Sequence, residues 1–193
     1  MSQNAIFAIV LAAGAATRYG RTKQLEQFAG LSLAANAVRK AESVCGARSV
    51  LVTGNDWQEV AESCAPLAGF FVVNNDYKEG LASSIACGVR SVAESADAIL
   101  LMLADLPLVP AAHLTLLVDA WTESPRSIIA SAFADTLAPP VVFPRADFDA
   151  LLQLSGDRGA RPIIDANKER VQTITCEEAA FDIDRPEDLT RVY

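Results

Sequence analysis

The sequence predicts an α/β protein in which helices cover both faces of a doubly wound, mainly parallel sheet. Two patterns predict this Rossmann-like fold. Short runs are apolar at almost every position, which is typical of strands that are buried on both faces. These runs alternate along the chain with longer segments that have the 3.6-residue period of amphipathic helices, and this β-α-β-α order builds a parallel sheet.

The regular part of the chain comes first. Its strands are expected at 6–11, 49–53, 69–73, 98–103 and 127–132. Its helices are expected at 31–44, 56–64, 81–93 and 111–123. Each helix follows one strand and precedes the next, as the crossover connections of a parallel sheet require.

The pattern changes after Asp135, where we expect a small C-terminal β/α elaboration of the sheet. The apolar run 136–143 contains Pro139 and Pro140, which cannot donate to a ladder. It is therefore expected to be an edge strand, to carry a bulge or to be entered late. The last elements are expected as helices at 147–153, 160–167 and 185–192 and as a strand at 171–175. With 193 residues, the whole chain, 1–193, is expected to form one domain.

Composition and charge exclude several classes of protein. The content of 51% hydrophobic and 21% charged residues is typical of a globular chain and argues against disorder. A net charge of −8 disfavours nonspecific binding to nucleic acid or to an anionic membrane. The apolar segment 5–13 is too short to cross a bilayer. The four cysteines form no CxxC pair, so reduced thiols and a cytoplasmic location are expected.

The connection after the first strand, residues 11–25, combines small residues with cations. Ala13 and Gly14 leave their backbone amides open to a ligand, and Arg18 and Lys23 add positive side chains. Open amides and cations at this point of the fold suit a polyphosphate. The segment matches neither GxGxxG nor the P-loop pattern, so a surface loop with solvated charges is the alternative.

Two further segments carry carboxylates. The apolar strand at 98–103 is followed by Asp105, at the sheet edge where ligands of such folds bind, and a carboxylate there suits Mg²⁺. In FDIDRPEDL, residues 181–189, Asp182 and Asp184 alternate with apolar residues and would face one side of a short strand. They could complete the metal site. The alternatives are a turn or helix-capping role for Asp105 and solvated carboxylates at 182 and 184.

These segments together resemble the MobA-like nucleotidyltransferases, and most closely their molybdenum cofactor cytidylyltransferase branch. The resemblance is carried by LAAGxxxRxGxxK, by DxP after the strand, by DxDxPED, by GLAxS at 80–84 and by LxGDxGAR at 154–161. It runs from about residue 6 to residue 189. It implies transfer of CMP from CTP to a molybdopterin-type cofactor with release of pyrophosphate, since the LAAG form is associated with CTP.

The resemblance also implies roles for individual residues. The backbone of Leu11, Ala12, Ala13 and Gly14 would contact the base and ribose, with Ser83 beside the nucleotide. Catalysis would rest on Lys23, Arg18 and Asp105; Lys23 and Arg18 would hold the triphosphate. Asp105 would bind Mg²⁺ together with Asp182 or Asp184. Two turns add candidates: Asn75 for the ribose, and Asp157, Arg158 and Arg161 for the acceptor. His113, the only histidine, is expected to be structural.

Some positions depart from the family pattern and keep alternatives open. Ala16 replaces a frequent serine, Leu106 replaces a frequent glutamine, and Ala138-Pro139-Pro140 replaces a GxP turn. The last two lie where the acceptor is expected. The same transfer with GTP or to a sugar or alditol phosphate is therefore an alternative, as is a non-catalytic relative that hands cofactor to a molybdoenzyme or to its chaperone.

Overall fold

The computed structural model describes residues 4–14, 19, 22–134 and 136–190. The strands are β1 (Ile6–Ala12), β2 (Gln27–Phe28), β3 (Leu31–Ser32), β4 (Ser49–Thr53), β5 (Phe70–Val73), β6 (Ala98–Leu103), β7 (Ile128–Phe133), β8 (Thr136–Pro144) and β9 (Val171–Thr175). The helices are α1 (Leu33–Cys45), α2 (Trp57–Ser63), α3 (Leu81–Val92), α4 (Ala111–Glu123), α5 (Phe148–Leu152), α6 (Arg161–Ala166) and α7 (Pro186–Thr190). Within the described residues, none of the helices has the length and apolar character needed to cross a membrane.

The predicted doubly wound, mainly parallel sheet is confirmed. Within the described residues the main sheet has seven strands in the order β5-β4-β1-β6-β8-β7-β9. All neighbouring pairs are parallel except those that β8 makes with β6 and β7. The chain runs outward from β1 to β4 and β5 and then returns to β6 on the other side of β1. The order of strands therefore reverses between β1 and β6, which is where open α/β sheets bind ligands.

Strand β8 lies inside the sheet, so the expectation of an edge strand is wrong. The expected bulge and late pairing are confirmed. The ladder to β6 begins only at Val141, and the register with β7 shifts between Ala130 and Ser131. Pro139 and Pro140 occupy that shift. An interior strand tolerates two prolines because they sit where the ladder is already interrupted.

Two apolar layers hold the sheet between its helices. Alternate residues of β1 enter different layers: Ala8 and Val10 pack with α1 and α4, whereas Ile9 and Leu11 pack with α3, α5 and α6. Because both faces of the strand are covered, nearly every side chain of β1 is buried. This burial explains why the strand is apolar throughout its length.

A short hairpin precedes the first helix and was not expected. Strands β2 and β3 pair antiparallel, and α1 begins at Leu33 after them. The Oγ atom of Ser32 accepts a hydrogen bond from the backbone N–H of Ala35 at 3.0 Å and so caps the helix. The predicted helix 31–44 therefore began too early.

The buried His113 supports the bulge in β8. Its Nε2 atom lies 2.8 Å from the Oγ of Ser131, which donates to the carbonyl of Pro140 at 2.7 Å. Since the hydroxyl proton is directed to Pro140, Nε2 must donate its N–H to Ser131. Burial lowers the pKa of His113, against a smaller opposite effect of Glu178. The neutral imidazole is thus the form that the fold accommodates, in agreement with a structural role.

The lowered pKa of His113 predicts a pH dependence of stability. Below about pH 6.5 the unfolded chain takes up a proton at His113 that the folded protein resists. The free energy of unfolding therefore decreases as the pH is lowered, by at most about 1.4 kcal/mol per pH unit. The His113→Gln variant lacks this titration. Urea denaturation from pH 7 to pH 5 should show a shallower loss of stability for the variant than for the wild type. Equal slopes would remove His113 as the cause.

Candidate active site at the carboxyl ends of β1 and β6

A cavity of about 420 Å³ opens where the strand order reverses. The N–H of Ala104 donates to the carbonyl of Leu11 at 3.1 Å, which extends the β1–β6 contact beyond the strands. The cavity is lined by Leu11, Ala13, Gly14, Lys23, Gln24, Leu33, Tyr77, Lys78, Gly80, Leu81, Ser84, Leu103, Ala104, Asp105 and Asp157. Residues from the first loop, from the end of β6 and from the C-terminal part thus share one site.

The small residues after β1 form one side of the cavity. Leu11, Ala13 and Gly14 line it, whereas Ala12 packs into the layer of α1 and α4 behind the sheet. Side chains of successive strand residues point to opposite faces, which accounts for the difference. Arg18 and Ala16 lie outside the described residues.

Lys23 lies between two of the predicted metal ligands. It opens a 3₁₀ turn, and its Nζ atom is 2.7 Å from Oδ2 of Asp105 and 3.4 Å from Oδ1 of Asp184. The lysine side chain is only 14% exposed. Burial alone would lower the pKa of Lys23, but the two carboxylates outweigh it and raise the pKa above its usual value. The group is therefore an ammonium ion held in a partly buried cluster of charges.

The carboxylates around Lys23 come from two distant segments. The N–H of Ile183 donates to the carbonyl of Asp105 at 3.0 Å, which brings residues 182 and 184 to the end of β6. Residues 181–184 form no strand, so that expectation is wrong, although Ile183 is buried and both aspartates are exposed. Asp188 accepts from the N–H groups of Asp184 and Arg185 at the start of α7, which gives it a structural role.

The three aspartates have the donor chemistry for a divalent cation. Oδ1 of Asp105 is buried and has no hydrogen-bond partner among the residues described. Burial raises the pKa of Asp182, and the charges of Asp184 and Asp105 raise it further. Over the described part of the chain, no group of three His, Cys, Asp or Glu side chains stands ready to hold a metal ion. Oxygen ligands with an excess of negative charge nevertheless fit Mg²⁺ or Mn²⁺.

The polar residues after β5 are arranged differently from the prediction. Asn74 is buried, and its Nδ2 donates to the hydroxyls of Ser83 at 2.9 Å and Ser84 at 3.0 Å. The Oγ atom of Ser83 lies 2.9 Å from the carbonyl oxygens of both Asp76 and Gly80, so its single proton is directed into its own turn. Of the two serines, Ser84 reaches the cavity wall, while the predicted Ser83 and Asn75 are not among its lining residues.

The turn at 154–159 closes the far side of the cavity. Oδ1 of Asp157 accepts from the N–H of Leu81 at 3.3 Å, and the carbonyl of Gly156 accepts from Ala82 at 3.0 Å. Asp157, for which acceptor binding was predicted, therefore lies in the cavity wall. The two predicted arginines are not in the wall: Arg158 is exposed, and Arg161 donates to the carboxylate of Asp165 and to the carbonyl of Leu137.

Three polar residues of the cavity wall were missed by sequence reasoning. Gln24 follows Lys23, and Tyr77 and Lys78 form the turn before Gly80. Nζ of Lys78 lies 5.8 Å from the centre of the Tyr77 ring. Their positions next to motif residues were the available signal. The motif letters alone do not include them.

Comparison with known proteins identifies the family. The MobA-like NTP transferase domain matches residues 8–171. The chain belongs to this family. As a MobA-like NTP transferase, it is an enzyme of the nucleotidyltransferase class, the predicted class, and its substrate is a nucleoside triphosphate.

Individual relatives of this MobA-like domain cover most of its length. The purine catabolism protein PucB of Bacillus subtilis is 27% identical over 199 residues, 97% of this chain and 95% of PucB. The crystal structure of Rv0371c from Mycobacterium tuberculosis superposes with a TM-score of 0.87 at 28% identity, covering 100% of this chain and 98% of that one. Rv0371c has also been solved as a complex with manganese. GlmU of Rhodopseudomonas palustris, a bifunctional protein, is 34% identical over 58% of this chain but only 25% of its own length.

Gly80 allows the turn at 154–159 to approach α3, which predicts a large effect of substitution. A Cβ atom at Gly80 would collide with Oδ1 of Asp157 and lie 2.7 Å from the carbonyl carbon of Gly156, and the φ angle of +103° is one that glycine favours. Gly156 also has positive φ, +71°, but open space around its Cα. Gly156→Ala is the matched control, since it carries backbone strain without a collision.

We expect Gly156→Ala to lower the free energy of unfolding by about 1–2 kcal/mol. Gly80→Ala should lower it by about 1–3 kcal/mol more, because the turn must move. Urea denaturation of both variants measures the difference. If Gly80→Ala is no worse than its control, the close contact with Asp157 does not matter.

Proposed function

We propose that the protein transfers CMP from CTP to the terminal phosphate of a molybdopterin-type cofactor and releases pyrophosphate. The observation that carries the proposal is the position of Lys23 beside Asp105 and Asp184. Lys23 shares the cavity wall with Ala13 and Gly14, the small residues at the end of β1. A cation, a set of metal-binding oxygens and open backbone amides are the groups that phosphoryl chemistry requires.

The chemistry is an in-line displacement. An oxygen of the acceptor phosphate attacks the α-phosphorus of CTP, a new P–O bond forms, and the bond from the α-phosphorus to the bridging oxygen breaks. That oxygen leaves with the pyrophosphate. The attacking oxygen is already anionic near neutral pH, so the reaction needs no general base. His113, buried between Ser131 and the bulge of β8, has no part in it.

The residues act by positioning and by charge. Lys23 and Arg18 bind oxygens of the triphosphate, while Asp105 with Asp182 or Asp184 would hold Mg²⁺. When bound, Mg²⁺ neutralises the charge that develops on the departing pyrophosphate. The manganese complex of Rv0371c supports the use of a divalent cation by this kind of site.

Lys23 can pair either with the carboxylates of the site or with the triphosphate. Without nucleotide its ammonium neutralises Asp105 and Asp184, which would otherwise repel each other. With a triphosphate and a divalent cation bound, the carboxylates would hold the metal and Lys23 would bind the phosphates. In this exchange each carboxylate keeps a cation beside it, so the site can bind a highly charged substrate without leaving a buried charge unpaired.

A sugar or alditol phosphate is the second candidate acceptor. The departures at Leu106 and at Ala138-Pro139-Pro140 lie where the resemblance places the acceptor, which keeps this alternative open. The name of PucB refers to purine catabolism and favours neither acceptor. GTP as donor is the third possibility, and the LAAG segment favours CTP over it.

Nucleotide and acceptor are tested in one assay. Pyrophosphate release is measured with Mg²⁺ and each of CTP, GTP, UTP and ATP, with and without molybdopterin, and with a sugar phosphate in its place. We expect release only with CTP and molybdopterin together. A site that hydrogen-bonds a base edge rejects the wrong base because buried polar groups are left unpaired. Tighter binding of GTP than CTP by calorimetry would contradict the cytidylyl assignment.

The exchange of partners predicts opposite effects of Lys23→Met on two measurements. Turnover should fall by about two to three orders of magnitude, since a cation aimed at the leaving group is lost. Affinity of the nucleotide-free protein for Mn²⁺ should rise at least about tenfold, because a unit charge about 4 Å away contributes up to about 4 kcal/mol at a partly buried site.

Lys78→Met is the control for the metal measurement. Lys78 lines the same cavity but lies over Tyr77, and it makes no ion pair with any residue that the structure describes. Its removal should leave the Mn²⁺ affinity within about twofold of wild type. Titration followed by Mn²⁺ electron paramagnetic resonance gives both values. Equal affinities in Lys23→Met and wild type would show that Lys23 does not compete with the metal.

A further inference from the structure

Gln24 is a buried polar residue in the wall of the cavity. Its side chain is 5% exposed, and Nε2 donates to the carbonyl oxygen of Gly14 at 3.0 Å. The two residues are in close contact, since a Cβ atom placed on Gly14 would be 3.3 Å from the same Nε2. Gln24 thus connects the end of β1 to the turn that begins at Lys23.

The turn that contains Gln24 also fixes the position of Lys23, the preceding residue. Its backbone is closed by the bonds Leu25 N–H to Thr22 O at 3.1 Å and Glu26 N–H to Lys23 O at 3.0 Å. Lys23 and Gln24 are therefore parts of one hydrogen-bonded turn. A shift of the Gln24 side chain away from Gly14 would move the Cα of Lys23 relative to the amides at the end of β1.

Packing does not account for an amide at this position. Oε1 of Gln24 is buried and has no hydrogen-bond partner within the described part of the chain. A buried acceptor without a donor is unfavourable, so an apolar side chain of similar size would suit the wall better if filling space were the only role. Water in the cavity could then satisfy the carbonyl of Gly14.

We infer that Gln24 is a positioning residue for nucleotide binding. It fixes the distance between Gly14 and Lys23, so that the backbone amides and the ammonium ion meet the same polyphosphate. The effect on nucleotide binding rests on the proposed function. The clamp, by which we mean the hydrogen bond from Gln24 to Gly14, exists without nucleotide. The two can therefore be tested separately.

The clamp is tested in the nucleotide-free protein by amide hydrogen exchange. Gln24→Leu should speed the exchange of the Leu25 and Glu26 amides by at least about tenfold. Gln27→Leu is the control, since Gln27 is exposed and, among the described residues, its Nε2 reaches only the carbonyl of Leu25, at 3.4 Å. Unchanged exchange in Gln24→Leu would overturn the clamp, whatever the protein binds.

The positioning role is tested by a double-mutant cycle on CTP affinity in the presence of Mg²⁺. Gln24→Leu should weaken CTP binding about 10- to 100-fold in the wild type, because misplacing a binding group by about 1 Å is this costly. In the Lys23→Met background it should weaken binding less than about threefold, since the group that it positions is gone. Equal losses in both backgrounds would show that Gln24 does not act through Lys23.

A second variant covers the case in which Gln24→Leu fails to fold. In Gln24→Glu the carboxylate cannot donate to Gly14, but its protonated form can, and burial beside a carbonyl should raise its pKa. CTP affinity of Gln24→Glu should therefore recover several-fold from pH 8 to pH 6, relative to Gln27→Glu. No recovery would contradict the role of the hydrogen bond. A wild-type protein that binds no nucleoside triphosphate would instead refute the proposed function and leave the exchange result standing.

Discussion

The contact between Lys23 and Asp105 holds the candidate site together, and it depends on the pairing of β1 with β6. The two residues are 82 positions apart, and Asp184 is 161 positions from Lys23. They meet because β1 and β6 are neighbours that end together, and because Ile183 bonds to the carbonyl of Asp105. A carboxylate at the end of a buried strand needs a positive charge nearby. The fold supplies that charge from its first loop.

The same contact also sets how the site responds to pH. The folded pKa of Lys23 lies above its ordinary value of 10.5, so the folded protein holds this proton more tightly than the unfolded chain does. Its contribution to stability is fully present below pH 10.5 and is lost only as pH rises through the folded pKa. Near neutral pH Lys23 is therefore an ammonium ion beside Asp105 and Asp184. Under the proposed function, the partners of Lys23 would change there through the binding of ligands and not through its own deprotonation.

The parts of the fold that the sequence predicted well are those in which burial dictates the residue type. Strands β4, β6 and β9 have the predicted bounds, since an apolar run between polar turns leaves little freedom. The short hairpin of β2 and β3 has no such pattern, because each strand has only two residues. The interior position of β8 was missed for a different reason. Prolines argue against an interior strand unless the bulge that accommodates them is known.

Within the candidate site, the sequence motifs predicted which loops line the cavity better than they predicted which side chains reach it. Lys23, Asp105 and Asp157 all line the cavity. The choice between Ser83 and Ser84 depends on which hydroxyl the preceding turn uses, and sequence spacing does not contain that information. Gln24 was overlooked because glutamine carries no charge, and its value lies in a single bond to Gly14.

The two walls of the cavity have separate structural origins. One wall is formed at the ends of β1 and β6, whose backbones are fixed by ladders on both edges. The other is formed by turns, at 77–80 and 154–159, that are joined by hydrogen bonds at Leu81 and Ala82. Arg161, which follows the second turn, donates to the carbonyl of Leu137 in β8. A change in the bulge of β8 is therefore expected to affect the wall made of turns more than the end of β1. If the acceptor binds near residues 138–140, as the resemblance implies, substitutions at Pro139 and Pro140 should change the choice of acceptor more than the choice of nucleotide.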